Sequence, residues 1–187
     1  MINLFCPDYR CAQIDQIPVE WLRQQGITTI ILDVDNTLLP WDADLPVAAN
    51  IGWLQQVKTA GFKIILVSNN GGQRLQIISK SLEVPCVGWA IKPFGFGFKR
   101  ALKYLAQQNR QQVLVIGDQI MTDVLGANKM GFKVLWVESL SRKEFVATRL
   151  TRRVEALLIN VMLKKGIMPE VSFDENSLGT NEHTRKK

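Results

Sequence analysis

Two aspartates, Asp33 and Asp35, stand two residues apart where the apolar run Ile27–Val34 (ITTIILDV) passes into Asp35-Asn36-Thr37-Leu38. A carboxylate is ionised at neutral pH and can attack an electrophile. A second carboxyl close by can carry a proton, because two near acids separate their pKa values. Side chains two apart on a strand share a face, and burying both charges unpaired would be costly. Comparable groups follow later runs: Ser68-Asn69-Asn70, then Lys92 with Pro93, then Gly117-Asp118 with Thr122-Asp123. Each has an ordinary alternative role. Ser68 can cap a helix, Lys92 can be a solvated charge, and Asp123 can be a first-turn acid favoured by the helix dipole. What distinguishes them is that four acids, a lysine and a hydroxyl all fall where strands end.

The elements that would position them are legible as an alternation. Five short runs rich in β-branched residues recur at Ile27–Val34, Phe62–Ser68, Cys86–Ala90, Gln112–Gly117 and Phe132–Val137. Between them Pro46–Ala60, Gly72–Leu82, Phe96–Gln107 and Met121–Met130 space apolar residues by three and four, as helices do. Gly61 and Gly131 stand where a helix C-terminal glycine is expected. The runs are apolar almost throughout, which suits strands covered on both faces. The pattern predicts an α/β, three-layer Rossmann-like fold: a five-stranded parallel sheet with helices on both faces and right-handed crossovers. In such a sheet the ligand crevice lies outside the carboxyl ends of the strands, where the polar groups converge.

The 187 residues suit one domain, with 47% hydrophobic and 21% charged residues, ordinary values for a globular chain. The domain is read as 1–165, with 139–165 a basic C-terminal helix. The segment 166–187, with the only histidine, His183, is read as a polar, disordered tail. Charge is uneven. Residues 1–141 carry 13 basic and 11 acidic groups, whereas 142–165 carry seven basic and two acidic. Cys6, Cys11 and Cys86 form neither a CxxC pair nor a ligand cluster and are read as structural, in a reducing cytoplasm. No run of 18 apolar residues exists, and the start, with Pro7 and Asp8, does not read as a secretory signal. Phe94-Gly95-Phe96-Gly97 lacks the third glycine of a dinucleotide loop and does not follow the first strand. Trp21, Trp41, Trp53, Trp89 and Trp136 are read as core or rim residues, and Phe94, Phe96 and Phe98 as helix-packing residues.

In this order D-x-D-x-T, S-N-N, K-P and G-D-x-x-x-T-D resemble the four motifs of the haloacid dehalogenase superfamily of phosphatases, over roughly residues 4–155. Within its subfamily IIIA the chain is similar to the YqeG branch, a group like the phosphatidylglycerophosphate phosphatases. That finer likeness rests on Pro7-Asp8, Gly26-Ile27, Asp33–Leu39 with Trp41-Asp42, the later motifs, and Thr148-Arg149 through Arg152-Arg153. The resemblance implies that Asp33 is the nucleophile and Asp35 the general acid and base, with Thr37 shaping their loop. It implies that Ser68, the backbone around Asn69, and Lys92 meet the phosphoryl group, Thr37 belonging to the same substrate-binding set. It further implies Mg²⁺ held by Asp33, the backbone carbonyl of Asp35, Asp118 and Asp123.

From Asp35 to Ser68 the chain has room for one connection, one helix and one strand, and from Ser68 to Lys92 for a helix and a short strand. Neither gap holds a cap domain, so the expected substrate is bulky enough to cover the site itself. A phosphorylated lipid headgroup fits, and the resemblance points to phosphatidylglycerophosphate. The basic segment 142–165, around the apolar Val154–Leu163, is compatible with packing on the sheet and with attraction to an anionic membrane. The enzyme is thus expected to be cytoplasmic, peripheral at the inner face of a membrane, with no nucleic-acid partner. Two alternatives stand beside this: a phosphatase for protein or polynucleotide phosphate ends, and a non-catalytic scaffold on the same fold.

Overall fold

The computed structural model describes residues 2–43, 45–141 and 148–169, the last stretch without the side chains of 148–152. Six parallel strands form one sheet in the order β1-β6-β5-β2-β3-β4. They are β1 (Tyr9–Cys11), β2 (Thr29–Leu32), β3 (Lys63–Val67), β4 (Cys86–Val87), β5 (Val113–Gly117) and β6 (Lys133–Val137). The central strand β2 pairs on one side with β3, Leu32 opposite Leu66, and on the other with β5, Leu32 opposite Ile116. From β2 the chain winds outward through β3 to β4, then returns to lay down β5 and β6 on the other side. The winding reverses between β2 and β5, and a ligand crevice opens at such a switch point.

The apolar runs sort by residue parity. Ile30, Leu32, Ile64, Leu66, Leu114 and Ile116 enter one core layer with Trp53, Leu54 and Ile78. Ile31, Ile65, Val67, Val113 and Val115 enter the other with Phe98, Ala127 and Met162. The two layers correspond to α1 (Val19–Gln24), α2 (Ala48–Thr59) and α3 (Gln73–Leu82) on one face, and α4 (Phe96–Tyr104), α5 (Leu125–Met130) and α6 (Thr148–Lys164) on the other. A π-helical turn, Ile120–Val124, leads into α5.

Three sequence expectations are corrected. The sheet has six strands rather than five. Tyr9–Cys11 is too short to show a period and gains its place only by pairing with the edge of β6, Tyr9 opposite Leu135. The C-terminal helix does not begin at Ser139: residues 139–141 are non-helical, and Leu140 N–H donates to the Asn36 carbonyl at 2.9 Å. The folded chain also runs past 165, since Met168 is buried and the Cys6 thiol donates to the Ile167 carbonyl at 2.8 Å. Residues 142–147, and 170–187 with His183, lie outside the described residues. Among the described residues no domain is inserted between β2 and β3 or between β3 and β4.

Candidate active site

Four loops at the carboxyl ends of β2, β3, β4 and β5 build the site. Asp33 continues β2, and its N–H donates to the Ile116 carbonyl at 2.9 Å, so it lies beside the end of β5 that carries Asp118. Asn36 then adopts a left-handed φ of 62°, which asparagine tolerates better than most side chains. Its side-chain oxygen accepts from Trp41 N–H at 3.1 Å, fixing the turn that carries the chain away.

Lys92 is the centre of the cluster. Its buried ammonium donates to Asp33 Oδ1 at 2.5 Å, Asp123 Oδ1 at 2.7 Å and the Val67 carbonyl at 3.0 Å, which uses all three of its protons. The loop is held in place by Asn69, whose Oδ1 accepts from Lys92 N–H at 2.6 Å while its Nδ2 donates to the Lys92 carbonyl at 3.2 Å. The Asn69 side chain is therefore a clamp between the β3 and β4 loops. Gly117 is required by close approach: a Cβ there would lie 2.4 Å from Asp123 Cγ. That absence of a side chain lets Asp123 lean against the end of β5, where its Oδ2 accepts from Gln119 N–H at 3.2 Å.

Asp33, Asp118 and Asp123, all buried, bring one carboxylate oxygen each within 4.8 Å of one another. Among the described residues the Lys92 ammonium pairs with two of these three carboxylates, those of Asp33 and Asp123, in a nearly dry site. Burial pushes the Asp33 carboxyl up to about 7 against the pull of Lys92, with Asp123 adding to the rise. Burial raises Asp123 as well, opposed by Lys92 and reinforced by Asp118. For Lys92 burial works the other way, yet Asp123 and Asp33 outweigh it and hold the ammonium above its ordinary range. Three clustered hard oxygen donors of this kind fit a hard divalent cation such as Mg²⁺.

Asp35 lies outside this triad of carboxylates. Its Oδ1 meets Arg74 Nη1 at 2.5 Å, and its Oδ2 accepts from Asn70 Nδ2 at 2.8 Å and Ser68 Oγ at 3.2 Å. Thr37 is buried behind the site, its hydroxyl donating to Asp118 Oδ1 at 3.5 Å, so it braces a carboxylate rather than facing the opening. Asp118 is fully buried, and its carbonyl accepts from Trp136 Nε1 at 2.7 Å.

Sequence reasoning missed Arg74. Besides Asp35, its guanidinium reaches the carbonyls of Ala43 at 2.8 Å and Pro40 at 3.4 Å, tying the β2 loop to α3. A signal existed: a cation in the first turn of a helix opposes the helix dipole and so asks for a partner. The buried Glu155 of α6 was missed too, and it accepts from Met121 N–H at 2.8 Å in the turn that carries Asp123. Of the three phenylalanines read as packing residues, Phe98 is fully buried, but Phe94 and Phe96 are exposed.

A family model described as mitochondrial PGP phosphatase matches residues 2–140. The chain is 35% identical over 164 residues to the probable phosphatase YqeG of Bacillus subtilis, covering 88% of this chain and 95% of that one. It is 25% identical over 176 residues to phosphatidylglycerophosphate phosphatase 1, chloroplastic/mitochondrial, of Arabidopsis thaliana. That match covers 87% of this chain and 49% of the relative, so the chain spans about half of the plant protein's length. A hypothetical protein from Xanthomonas campestris shares the fold at 13% identity with a TM-score of 0.51, over 70% of this chain and 75% of that one. The four motifs, which resemble those of the haloacid dehalogenase phosphatases, thus occupy one crevice, and the chain belongs to the mitochondrial PGP phosphatase family and is a phosphatase.

Proposed function

We propose that this phosphatase removes the terminal phosphate of phosphatidylglycerophosphate, giving phosphatidylglycerol and inorganic phosphate, with Mg²⁺ held by Asp33, Asp118, Asp123 and the backbone carbonyl of Asp35. Bound there, Mg²⁺ would offset the repulsion between a carboxylate and a phosphate dianion. Asp33 attacks phosphorus, forming an aspartyl-phosphate as the bond to the glycerol oxygen breaks. Asp35 gives that oxygen its proton, then takes one from the water that splits the acyl phosphate. Lys92 offsets charge on Asp33 and on the phosphoryl oxygens. Ser68 Oγ and Asn70 Nδ2, which donate to Asp35 here, are the hydroxyl and amide at hand for those oxygens. Positioning and charge compensation of this kind carry most of phosphoryl transfer.

The observation that carries the lipid reading is a crevice with no domain inserted, among the described residues, to enclose a small metabolite. The family's description and the name of the plant relative favour the same substrate. No described helix is long and apolar enough to cross a membrane, so the enzyme would meet its lipid from the membrane surface. Exposed Phe94 and Phe96 beside Lys92 also suit stacking on a polynucleotide end, which makes a phosphorylated oligonucleotide the necessary competitor. The test is phosphate release from phosphatidylglycerophosphate in mixed micelles with Mg²⁺, beside p-nitrophenyl phosphate and the oligonucleotide, with Asp33→Asn as control. Release from the lipid well above the other two, lost in Asp33→Asn, supports the reading. Turnover of the oligonucleotide or of the small ester alone refutes the lipid assignment.

A further inference from the structure

The loop that delivers Lys92 carries large apolar side chains pointing the wrong way for a core. Around the buried Ala90 and Lys92, Trp89 is 66% exposed, Ile91 57%, Phe94 59% and Phe96 65%. The alternation is that of a chain whose inner side chains enter the protein while its outer ones are left to solvent. The loop is built rather than frayed. Ala90 N–H donates to the Ser68 carbonyl at 3.1 Å, Phe94 N–H to the Ile91 carbonyl at 2.9 Å and Gly97 N–H to the Ala90 carbonyl at 3.0 Å. The Trp89 ring lies over Gly71, where any Cβ would come within 2.3 Å of it. Such a concentration of exposed apolar groups marks an interaction surface.

Charge identifies its occupant. From Val84 to Gly117 the sequence has no acidic residue, yet it has Lys92, Lys99, Arg100, Lys103 and Arg110. Lys99, Arg100 and Lys103 are exposed on α4, the helix that Phe96 begins. Aromatic side chains with basic neighbours suit the interface of an anionic bilayer, where rings enter the headgroup layer and cations meet lipid phosphates.

We infer that the Trp89–Phe96 loop docks this enzyme on an anionic membrane surface, placing the crevice lined by Lys92 and Asp33 against the lipid headgroups. This deepens the lipid-substrate reading and rests on it. It also moves the membrane contact from the basic C-terminal segment to the loop that forms the site. On α6 the buried Glu155 and Met162 are committed to packing.

The experiment is flotation of the full chain with phosphatidylcholine vesicles, with and without a third of phosphatidylglycerol, at low salt. Wild type should float with the anionic vesicles only. Phe94→Ser/Phe96→Ser should weaken partitioning by at least about tenfold, given the apolar surface each ring offers. Leu157→Ser/Leu163→Ser, on the exposed side of α6, should float like wild type. Lys99→Glu/Lys103→Glu is a second disruption that removes no apolar packing and should weaken flotation as well. Wild type that releases phosphate from the lipid in detergent micelles but does not float overturns the docking surface and leaves the substrate standing. Flotation without lipid hydrolysis does the reverse. Serine variants of Phe94 and Phe96 that float like wild type, or a wild-type dimer that fails to float and that these substitutions dissociate, overturn the inference.

Discussion

Replacing Lys92 by methionine keeps most of the side-chain volume and removes the cation that pairs with buried Asp33 and Asp123. The ammonium holds Asp33 Oδ1 at 2.5 Å and Asp123 Oδ1 at 2.7 Å, all three side chains being nearly inaccessible to water. Removing one partner of such a pair leaves buried charge uncompensated and costs roughly 3–5 kcal/mol. Protonation limits the loss. Burial already raises Asp33 to about 7 and raises Asp123, and without Lys92 both rise further. A carboxyl whose folded pKa is raised contributes stability that is present below its unfolded value and lost as pH rises through the folded one. The penalty of Lys92→Met, measured by urea unfolding in EDTA, should therefore be smaller near pH 5 and larger near pH 8. Saturating Mg²⁺ should recover part of the stability, while turnover stays about 10²–10³-fold low because charge on the phosphoryl group is no longer offset. Lys92→Arg should rescue neither, since a planar guanidinium does not fit a site shaped for a point charge. A Lys92→Met protein as stable as wild type at pH 8, with no growth of the difference from pH 5, would refute the electrostatic reasoning.

Asp33→Asn should behave oppositely in EDTA. Wild type loses the contribution of neutral Asp33 between its unfolded value near 3.8 and its folded value of about 7, and the amide does not titrate. The variant should thus gain on wild type by up to about 4 kcal/mol from pH 4 to pH 8, read as a widening difference in Tm. Gly117→Ala places a methyl 2.4 Å from Asp123 Cγ and should cost about 1–3 kcal/mol together with affinity for Mg²⁺, measured by titration calorimetry. Gly52→Ala, inside α2 where a Cβ meets nothing within 4 Å, should instead stabilise by about 1 kcal/mol and leave Mg²⁺ binding alone.

The parts of the fold legible in the sequence were those whose burial leaves a period. β2, β3, β5 and β6 are apolar on both faces because helices cover both, and the short β4 was read from the apolar run Cys86–Ala90. β1 left no such trace: three residues at an edge are set by pairing with β6, a contact with residues far away in sequence, Tyr9 opposite Leu135. The start of α6 was misplaced because basic side chains are as compatible with a loop as with a helix. Within the site, Asp33, Asp118, Asp123 and Lys92 were readable because strand ends in a parallel sheet share one edge. Arg74 was not, since its meaning lies in reaching Asp35 from another loop. Phe94 and Phe96 were misread because helical spacing near α4 suggests packing, whereas their exposure follows from how the Lys92 loop turns.

The most direct test of a phosphoryl group passing through Asp33 is to quench the enzyme during turnover of p-nitrophenyl phosphate with Mg²⁺ and reduce it with borohydride. An acyl phosphate is reduced to the alcohol, so mass spectrometry of the peptide spanning Asp33 should show homoserine at that position alone. Reduction at another residue, or turnover with no reducible intermediate and undiminished in Asp33→Asn, would contradict the mechanism.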